Sequence, residues 1–249
     1  MGIDVRNLDW QLARDHFKGH TNLANGEVSY LSNIYKYQDH GVKAKKNSNS
    51  FVNFGSKIYK ILPEIAGEGN FGIVRYARSP RGKNNYVVKI SNDPVTIKDA
   101  HLINNEIKIA KDVGLVIDSG KRRRQKYNYL SANIQYSVMP DLGSTLGEHL
   151  SENTPIEERF SLAIQLCLSL CRHHFGHATS SGKKVVHRDI KPANIMVKDI
   201  SNKLSLADYG LAQYSDPNAF VSGSIGGTPY YLTYMTSYAS FNLTVRSIH

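Results

Sequence analysis

Three oxygen-bearing side chains set the first chemical expectation. Asp189 and Asn194 lie in the segment His187-Arg188-Asp189-Ile190-Lys191-Pro192-Ala193-Asn194, and Asp208 opens Asp208-Tyr209-Gly210 after a polar turn, all within 20 positions. Strand-like apolar stretches adjoin them, Ile195-Met196-Val197 among these. Carboxylate and amide oxygens suit Mg²⁺, which keeps much of its shell for water and phosphate oxygens. A further carboxylate can orient a hydroxyl nucleophile. The pattern is that of a metal–phosphate site.

Two more segments fit phosphate chemistry. Gly67-Glu68-Gly69-Asn70-Phe71-Gly72 joins two strand-like runs and does not lead into a helix. That excludes a Rossmann turn and leaves a flap whose backbone amides can cover phosphates. Glycines that merely relieve positive φ in a hairpin are the competing reading. Lys89 ends the apolar strand Val87-Val88-Lys89-Ile90. Glu106 falls on the apolar stripe Leu102, Ile103, Ala110 and Val113 of a predicted helix, and an unpaired carboxylate buried there costs several kcal/mol. Lys89 is its natural partner, and a lysine so held is aimed at a phosphate.

These residues need elements to position them. From Lys57 the runs IYKILPEIA, GIVRYAR and NYVVKI, parted by glycine-containing turns, predict an antiparallel meander. A helix is expected from about Asp99 to Val113, stopped by Gly114, then strands near Tyr127–Leu130 and Gln135–Met139. Phe160, Ala163, Ile164, Cys167 and Cys171, at spacings of three and four, predict a long, well-buried helix from Pro155 to about Phe175. Residues 1–55 are polar and end in the Lys- and Asn-rich stretch Lys43–Asn49. They read as a partly ordered extension and linker with a short helix from Leu8 to Phe17. Strands with one helix, followed by helices, predict two lobes.

The order of these motifs resembles the eukaryotic-type serine/threonine protein kinases. GEGNFGIV is similar to the glycine-rich loop, VVKI to the lysine strand, HRDIKPAN to the catalytic loop and DYG to the metal motif, over about Ser56 to Leu232. The resemblance implies an α+β two-lobe fold with a five-stranded antiparallel N-lobe carrying one helix, and a helical, incomplete C-lobe. Residues 1–55 would be the extension, 56–143 the N-lobe and hinge, and 144–249 the partial C-lobe. It implies ATP and Mg²⁺ as cofactors. Gly67, Gly69 and Gly72 would cover the phosphates, Lys89 would hold the alpha and beta phosphates, and Glu106 would brace Lys89. Asp189 would accept or orient the substrate hydroxyl proton, Lys191 would neutralise the moving phosphoryl group, and Asn194 with Asp208 would hold the metal.

By the family's pattern Met139 is the gatekeeper. The Pro140 carbonyl and Leu142 amide would meet adenine, sandwiched by Val74, Val87 and Met196. Proline is tolerable there because only its carbonyl is needed. Lys191 two residues after Asp189, with Gly227-Thr228-Pro229, resembles kinases acting on serine and threonine of protein substrates. The hinge ending LGxxL and DYGLA are similar to the casein-kinase-one and vaccinia-related branch. Arg188 resembles that of kinases organised by activation-segment phosphorylation, for which Ser215, Ser222 and Ser224 are candidates.

The resemblance stops early. Thr228-Pro229-Tyr230-Tyr231-Leu232 is followed by a tail with no acidic residue and no Ala-Pro-Glu motif. A fragment or frameshifted product, a truncation, or a minimal kinase with a replacement tail would each explain this. The expected consequence is an apolar face left exposed on the helix from Pro155.

Composition limits the classes further. The chain has 249 residues, 41% hydrophobic, with 31 Lys and Arg against 21 Asp and Glu, a formal net charge of +10. That is globular composition. Much of the excess lies in Lys121, Arg122, Arg123, Arg124 and Lys126, expected as a basic loop able to meet an acidic partner. Without a stacking platform or zinc spacing, nucleic acid is not the expected partner. No run approaches the ~18 apolar residues of a membrane span, and no apolar signal core opens the chain. Cys167 and Cys171 fit buried thiols in a reducing compartment. The expected location is cytoplasmic, and the Asn- and Tyr-rich texture would also suit a bacterial effector in a host cell. Two functions follow: an active Mg²⁺- and ATP-dependent serine/threonine kinase, or an ATP-binding kinase-like interaction module or inactive fragment.

Overall fold

The computed structural model describes residues 5–18, 27–31, 50–55, 57–69, 72–80, 85–91, 97–125, 131–198 and 201–215. The chain divides into two units, Met1–Ile103 with Val116–Asp141, and Asn104–Leu115 with Leu142–His249.

The first unit is built on a sheet. Its elements are α1 (Val5–Phe17), β1 (Ser29–Leu31), β2 (Ser50–Asn53), β3 (Ile58–Gly69), β4 (Gly72–Arg78), β5 (Asn85–Ser91), the start of helix α2 (Ile97–Asp112), β6 (Asp118–Gln125) and β7 (Ser131–Pro140). The strands pair antiparallel in the order β1-β2-β3-β4-β5-β7-β6. Four of the five strands expected from the sequence are β3, β4, β5 and β7; β6 lies ahead of the expected Tyr127–Leu130 strand, and the N-terminal segment adds two more. Val28, just before β1, donates its N–H to the Lys121 carbonyl on β6 (3.0 Å), so the two edges of the sheet meet. Val28, Val52, Tyr59, Ile61, Ala77, Val88, Tyr136 and Val138 form the core inside.

The described parts of the polar extension therefore belong to the sheet. Apolar residues scattered through it do the work: β2 turns Val52 into the sheet core and Phe51 to the other side, where Ala13, Phe17 and Trp10 of α1 cover it. Trp10 meets Phe51 edge-on with ring centroids 5.2 Å apart. The stretch Lys43–Asn49 lies outside the described residues.

The basic run differs from expectation as well. Lys121–Gln125 is strand, not loop, paired residue for residue with Gln135–Ser131 of β7. Alternating Ile134, Tyr136 and Val138 make β7 a strand that accepts a neighbour, and charge is tolerated on a sheet edge. The Arg122 guanidinium lies 4.8 Å from the Tyr30 ring centroid. Lys126 and the strand expected at Tyr127–Leu130 lie outside the described residues.

The second unit takes the end of α2, then β8 (Ser144–Thr145), α3 (Leu146–His149), α4 (Ile156–His174), β9 (Val185–Val186), a 3₁₀ turn (Pro192–Asn194), β10 (Ile195–Lys198), β11 (Lys203–Leu206) and β12 (Gln213–Tyr214). Helix α2 ends as expected at Gly114, whose φ of +76° lets Leu115 N–H reach the Ala110 carbonyl (2.8 Å) and Gly114 N–H the Lys111 carbonyl (2.9 Å). Thr145 and Glu148 form a capping box on α3.

Helix α4 is found where the periodicity placed it, but it is not well buried. Only Leu162 and His173 are buried, while Ile156, Phe160, Ile164 and Leu168 form a stripe 57–63% exposed. Cys167 and Cys171 are free and exposed, which corrects the expectation of buried thiols. Four-residue spacing does define one apolar face, as expected of a face left uncovered; no described element packs on it.

Candidate active site

The expected site residues divide between the units: Gly67, Gly69, Gly72, Val74, Val87, Lys89, Met139 and Pro140 in the first, Glu106, Leu142, Asp189, Lys191, Asn194, Met196 and Asp208 in the second.

In the first unit the sheet register brings its group together. Val74 pairs with Lys89 and Lys89 with Ser137, while Val87 pairs with Met139 and Tyr86 with Pro140. Strand alternation puts Tyr86 and Val88 toward the core and Val87 and Lys89 on the opposite face, so Val74, Val87 and Met139 make a half-buried apolar patch around the Lys89 stem. The glycine segment continues β3 and β4, with Gly67 opposite Val74 and Gly69 opposite Gly72. Gly72 is required by packing: at φ +147° a Cβ would lie 2.2 Å from the Ile90 carbonyl oxygen. Gly67 and Gly69 instead face open space, leaving their backbone approachable. Asn70 and Phe71 lie outside the described residues.

In the second unit the catalytic segment is assembled from short strands and a turn. Pro192 opens the 3₁₀ turn, where a missing N–H costs nothing, and Asn194 N–H closes it on the Lys191 carbonyl (2.9 Å). Asp189 is buried. Its Oδ2 pairs with Lys191 Nζ (2.8 Å) and accepts from Asn194 Nδ2 (2.8 Å), which also donates to the Asp189 carbonyl (2.9 Å). With both amide hydrogens so used, Asn194 presents Oδ1 as its acceptor.

One residue ties this group to Asp208. Ala207 donates its N–H to the Asn194 carbonyl (2.9 Å), and its own carbonyl accepts from His187 Nε2 (3.0 Å). Asp208 follows at φ +60° and Arg188 precedes Asp189 at φ +69°, two left-handed positions for non-glycine residues within the candidate site. Burial holds His187 below the ordinary histidine range, so the neutral ring donates from Nε2, while its buried Nδ1 has no partner among the described residues. Met196 sits in β10 opposite Thr145 of β8 and Ser205 of β11, and Leu142 lies just before β8. Glu106 is 8% exposed on α2, as its place on the apolar stripe required.

Other positioning residues were not found in the sequence. Tyr209 O–H donates to His173 Nε2 (2.9 Å), because His173 Nδ1–H is taken by the Ser169 carbonyl (2.7 Å). Tyr209 also packs on His187, with centroids 4.9 Å apart, and burial raises its phenol pKa far above normal. Asn105 Nδ2 donates to the Ala212 carbonyl (3.0 Å), joining the end of α2 to the segment after Asp208. Such partners lie 36 and 107 residues apart, and no local spacing announces them.

The donor set fits Mg²⁺: Asn194 Oδ1 and the Asp208 carboxylate are hard oxygens on residues linked through Ala207, too few for a closed protein cage and suited to an ion that keeps water and phosphate ligands. Among the described residues no cluster of three or more His, Cys, Asp or Glu offers a rival metal site. The open glycines, the apolar patch and Lys89 fit a purine nucleotide.

The protein kinase domain model matches residues 59–233. The chain is 28% identical over 193 residues to the G2-specific protein kinase fin1 of Schizosaccharomyces pombe, covering 70% of this chain and 26% of that protein. It is 30% identical over 183 residues to the serine/threonine-protein kinase pakH of Dictyostelium discoideum, covering 69% and 31%. Against the serine/threonine-protein kinase Nek2 of Mus musculus it is 30% identical over 100 residues, covering 40% and 22%. The chain belongs to the eukaryotic-type serine/threonine protein kinase family. It spans less than a third of the length of each of these relatives. None of the three is named for the casein-kinase-one or vaccinia-related branch, so that finer likeness rests on the hinge and DYG residues alone.

Proposed function

We propose that the chain transfers the γ-phosphoryl group of ATP to serine or threonine hydroxyls of protein substrates, with Mg²⁺. The observation that carries this reading is the buried Asp189 carboxylate, held by Lys191 and Asn194 and tied through Ala207 to Asp208. Bound ATP and Mg²⁺ would supply the transferable phosphoryl group and most of the charge neutralisation. The protein's part is positioning. Asp189, pinned on Oδ2, orients the incoming hydroxyl and takes its proton. Lys191, at 2.8 Å from the same oxygen, adds positive charge where negative charge moves. Asn194 and Asp208 would hold the metal. Lys89 would hold the alpha and beta phosphates, with Glu106 as its proposed brace, and the Pro140 carbonyl, the Leu142 amide, Val74, Val87 and Met196 are the proposed adenine contacts.

In this reading residues 56–143 are the nucleotide lobe and hinge and residues 144–249 carry the catalytic and activation segments. Ser215, the described one of the three candidate phosphorylation sites, is exposed, and its N–H is bound to the Lys184 carbonyl (2.8 Å); Ser222 and Ser224 lie outside the described residues. An acidic protein remains the proposed partner of the basic strand at Lys121–Gln125. No described helix is long and apolar enough to cross a membrane. Two free, exposed thiols favour a reducing, cytoplasmic setting. The relatives named above come from a fungus, a slime mould and a mammal, and give the bacterial-effector reading no support.

Radiolabelled phosphate transfer to the chain itself and to a generic basic protein tests the proposal. Asp189→Asn should lower the rate by about 10²–10⁴-fold, and Lys89→Ala should also lose activity. Equal labelling by all three proteins would sink it. The exposed stripe of α4 favours a second reading, a nucleotide-binding interaction module. Its signature is Mg²⁺-dependent thermal stabilisation by ATP without phosphate transfer.

A further inference from the structure

Away from these residues the second unit holds a basic cavity of about 340 Å³ between the end of α2, the loop after α4 and strand β12. Its centre is built. Asp112 accepts four hydrogen bonds, from Ser180 Oγ (2.7 Å) and Ser181 N–H (2.9 Å) on Oδ1, and from Ser181 Oγ and Tyr214 Oη (2.8 Å) on Oδ2. Burial pushes this carboxyl up, but the donors outweigh burial and hold its pKa at about 2. Burial and the Asp112 contact push Tyr214 up to about 12, so it remains a neutral donor. The carboxylate is thus ionised and committed to neutral partners.

Among the described residues no carboxylate forms an ion pair with the cations around Asp112. Lys108 and Lys111, three apart on α2, and Lys183 line the cavity and are exposed. Lys108 Nζ and Lys183 Nζ lie 5.6 and 5.3 Å from the same Tyr214 ring centroid. Three lysines against one aspartate leave an excess of two positive charges. Like charges over one ring repel, and an anion bound between them would relieve that repulsion. Lysine ammoniums are mobile point charges, which favours a compact anion over a flat carboxylate recognised in a fork. A phosphomonoester carries about −1.5 to −2 at neutral pH, which matches that excess. The cavity lies at the lower end of the ~300–1,000 Å³ typical of ligand sites. A phosphate alone fills part of it, and the aromatic floor leaves room for the side chain that carries the group.

We propose that Lys108, Lys111, Lys183 and Tyr214 form a docking site for a phosphorylated serine or threonine side chain of a peptide segment. The site is separate from the Asp189 group and does not require phosphate transfer by this chain.

Fluorescence anisotropy on the full chain tests this with a labelled phosphoserine peptide of neutral flanks, its unphosphorylated twin and inorganic phosphate as competitor. The phosphopeptide should bind at least tenfold more tightly than its twin. Lys108→Ala with Lys183→Ala should weaken it at least tenfold, and raised salt should weaken it further. Lys111→Glu, on an exposed side chain, should give a comparable loss if the double variant unfolds. Lys121→Ala with Arg122→Ala should leave binding unchanged. Equal affinity for the two peptides overturns the proposal, as does full binding by the pocket variants. A loss confined to the Lys121 and Arg122 variant would move the ligand to β6 and overturn it too. Competition by inorganic phosphate at the peptide's own affinity would reduce the site to a free-anion site.

Discussion

Helices α1 and α4 make opposite use of their sequences. Helix α1 comes from a polar segment, yet Ala13 and Phe17 are 0% and 3% exposed because Phe51, Leu31 and Ile58 offer a surface to receive them. Helix α4 is the more apolar, yet Phe160 is 63% and Ile164 and Leu168 are 59% exposed. Its buried residues are Leu162 and His173, and His173 is bonded to Tyr209. The difference teaches that apolar content sets what a helix could bury, whereas burial needs a second surface within reach. Phe51 supplies one to α1, and no described element supplies one to the outer stripe of α4.

Substitutions can break or sharpen this contrast. Phe51→Ala should have the largest effect, a loss of about 3–5 kcal/mol by chemical denaturation, because a fully buried aromatic is removed from between helix and sheet. A loss under about 1 kcal/mol would show α1 to be loosely attached. Tyr209→Phe, which strips the buried anchor of α4 of its donor, should cost about 1–3 kcal/mol by the same measurement.

The same anchor predicts a pH dependence. Burial holds His173 and His187 below the ordinary histidine range, so the folded chain keeps them neutral while the unfolded chain protonates near ~6.5. Their contribution is fully present above that pH and is lost as pH falls below it. The slope is at most about 1.4 kcal/mol per pH unit for His187, and less for the more exposed His173. Equal denaturation midpoints at pH 7.5 and 5.5 would remove this account. The smallest effect belongs to the outer face of α4. Phe160→Ser or Ile164→Ser should change stability by no more than about 0.5 kcal/mol while lowering self-association in sedimentation. A loss near that of Phe51→Ala would mean that the stripe is buried after all.

Legibility followed the range of the interactions. Short-range patterns were readable: the meander from β3 to β5, the Gly114 stop of α2, and the grouping of Asp189, Lys191 and Asn194, whose turn closes within four residues. Glu106 was readable because one carboxylate interrupts a helical stripe. The N-terminal strands were not, since β1 and β2 are three and four residues long and take their meaning from partners elsewhere. The basic run was misread as a loop for the same reason: an edge strand needs no apolar alternation of its own when β7 supplies it. The apolar period of α4 gave its extent correctly and its exposure wrongly.

By itself the sequence determined the kinase family, because Asp189, Lys191 and Asn194, Asp208, Lys89 and the glycine segment each sit in a short motif whose internal spacing local backbone geometry preserves. Tertiary structure alone decided how those groups are held. The two backbone bonds of Ala207 that tie Asn194 to His187, the Tyr209–His173 bond, the meeting of Val28 with β6 and the lysines around Tyr214 each depend on residues brought together from distant positions. Hydrogen bonds and packing act over a few ångströms of space, and only the folded path of the chain sets which residues lie within that distance.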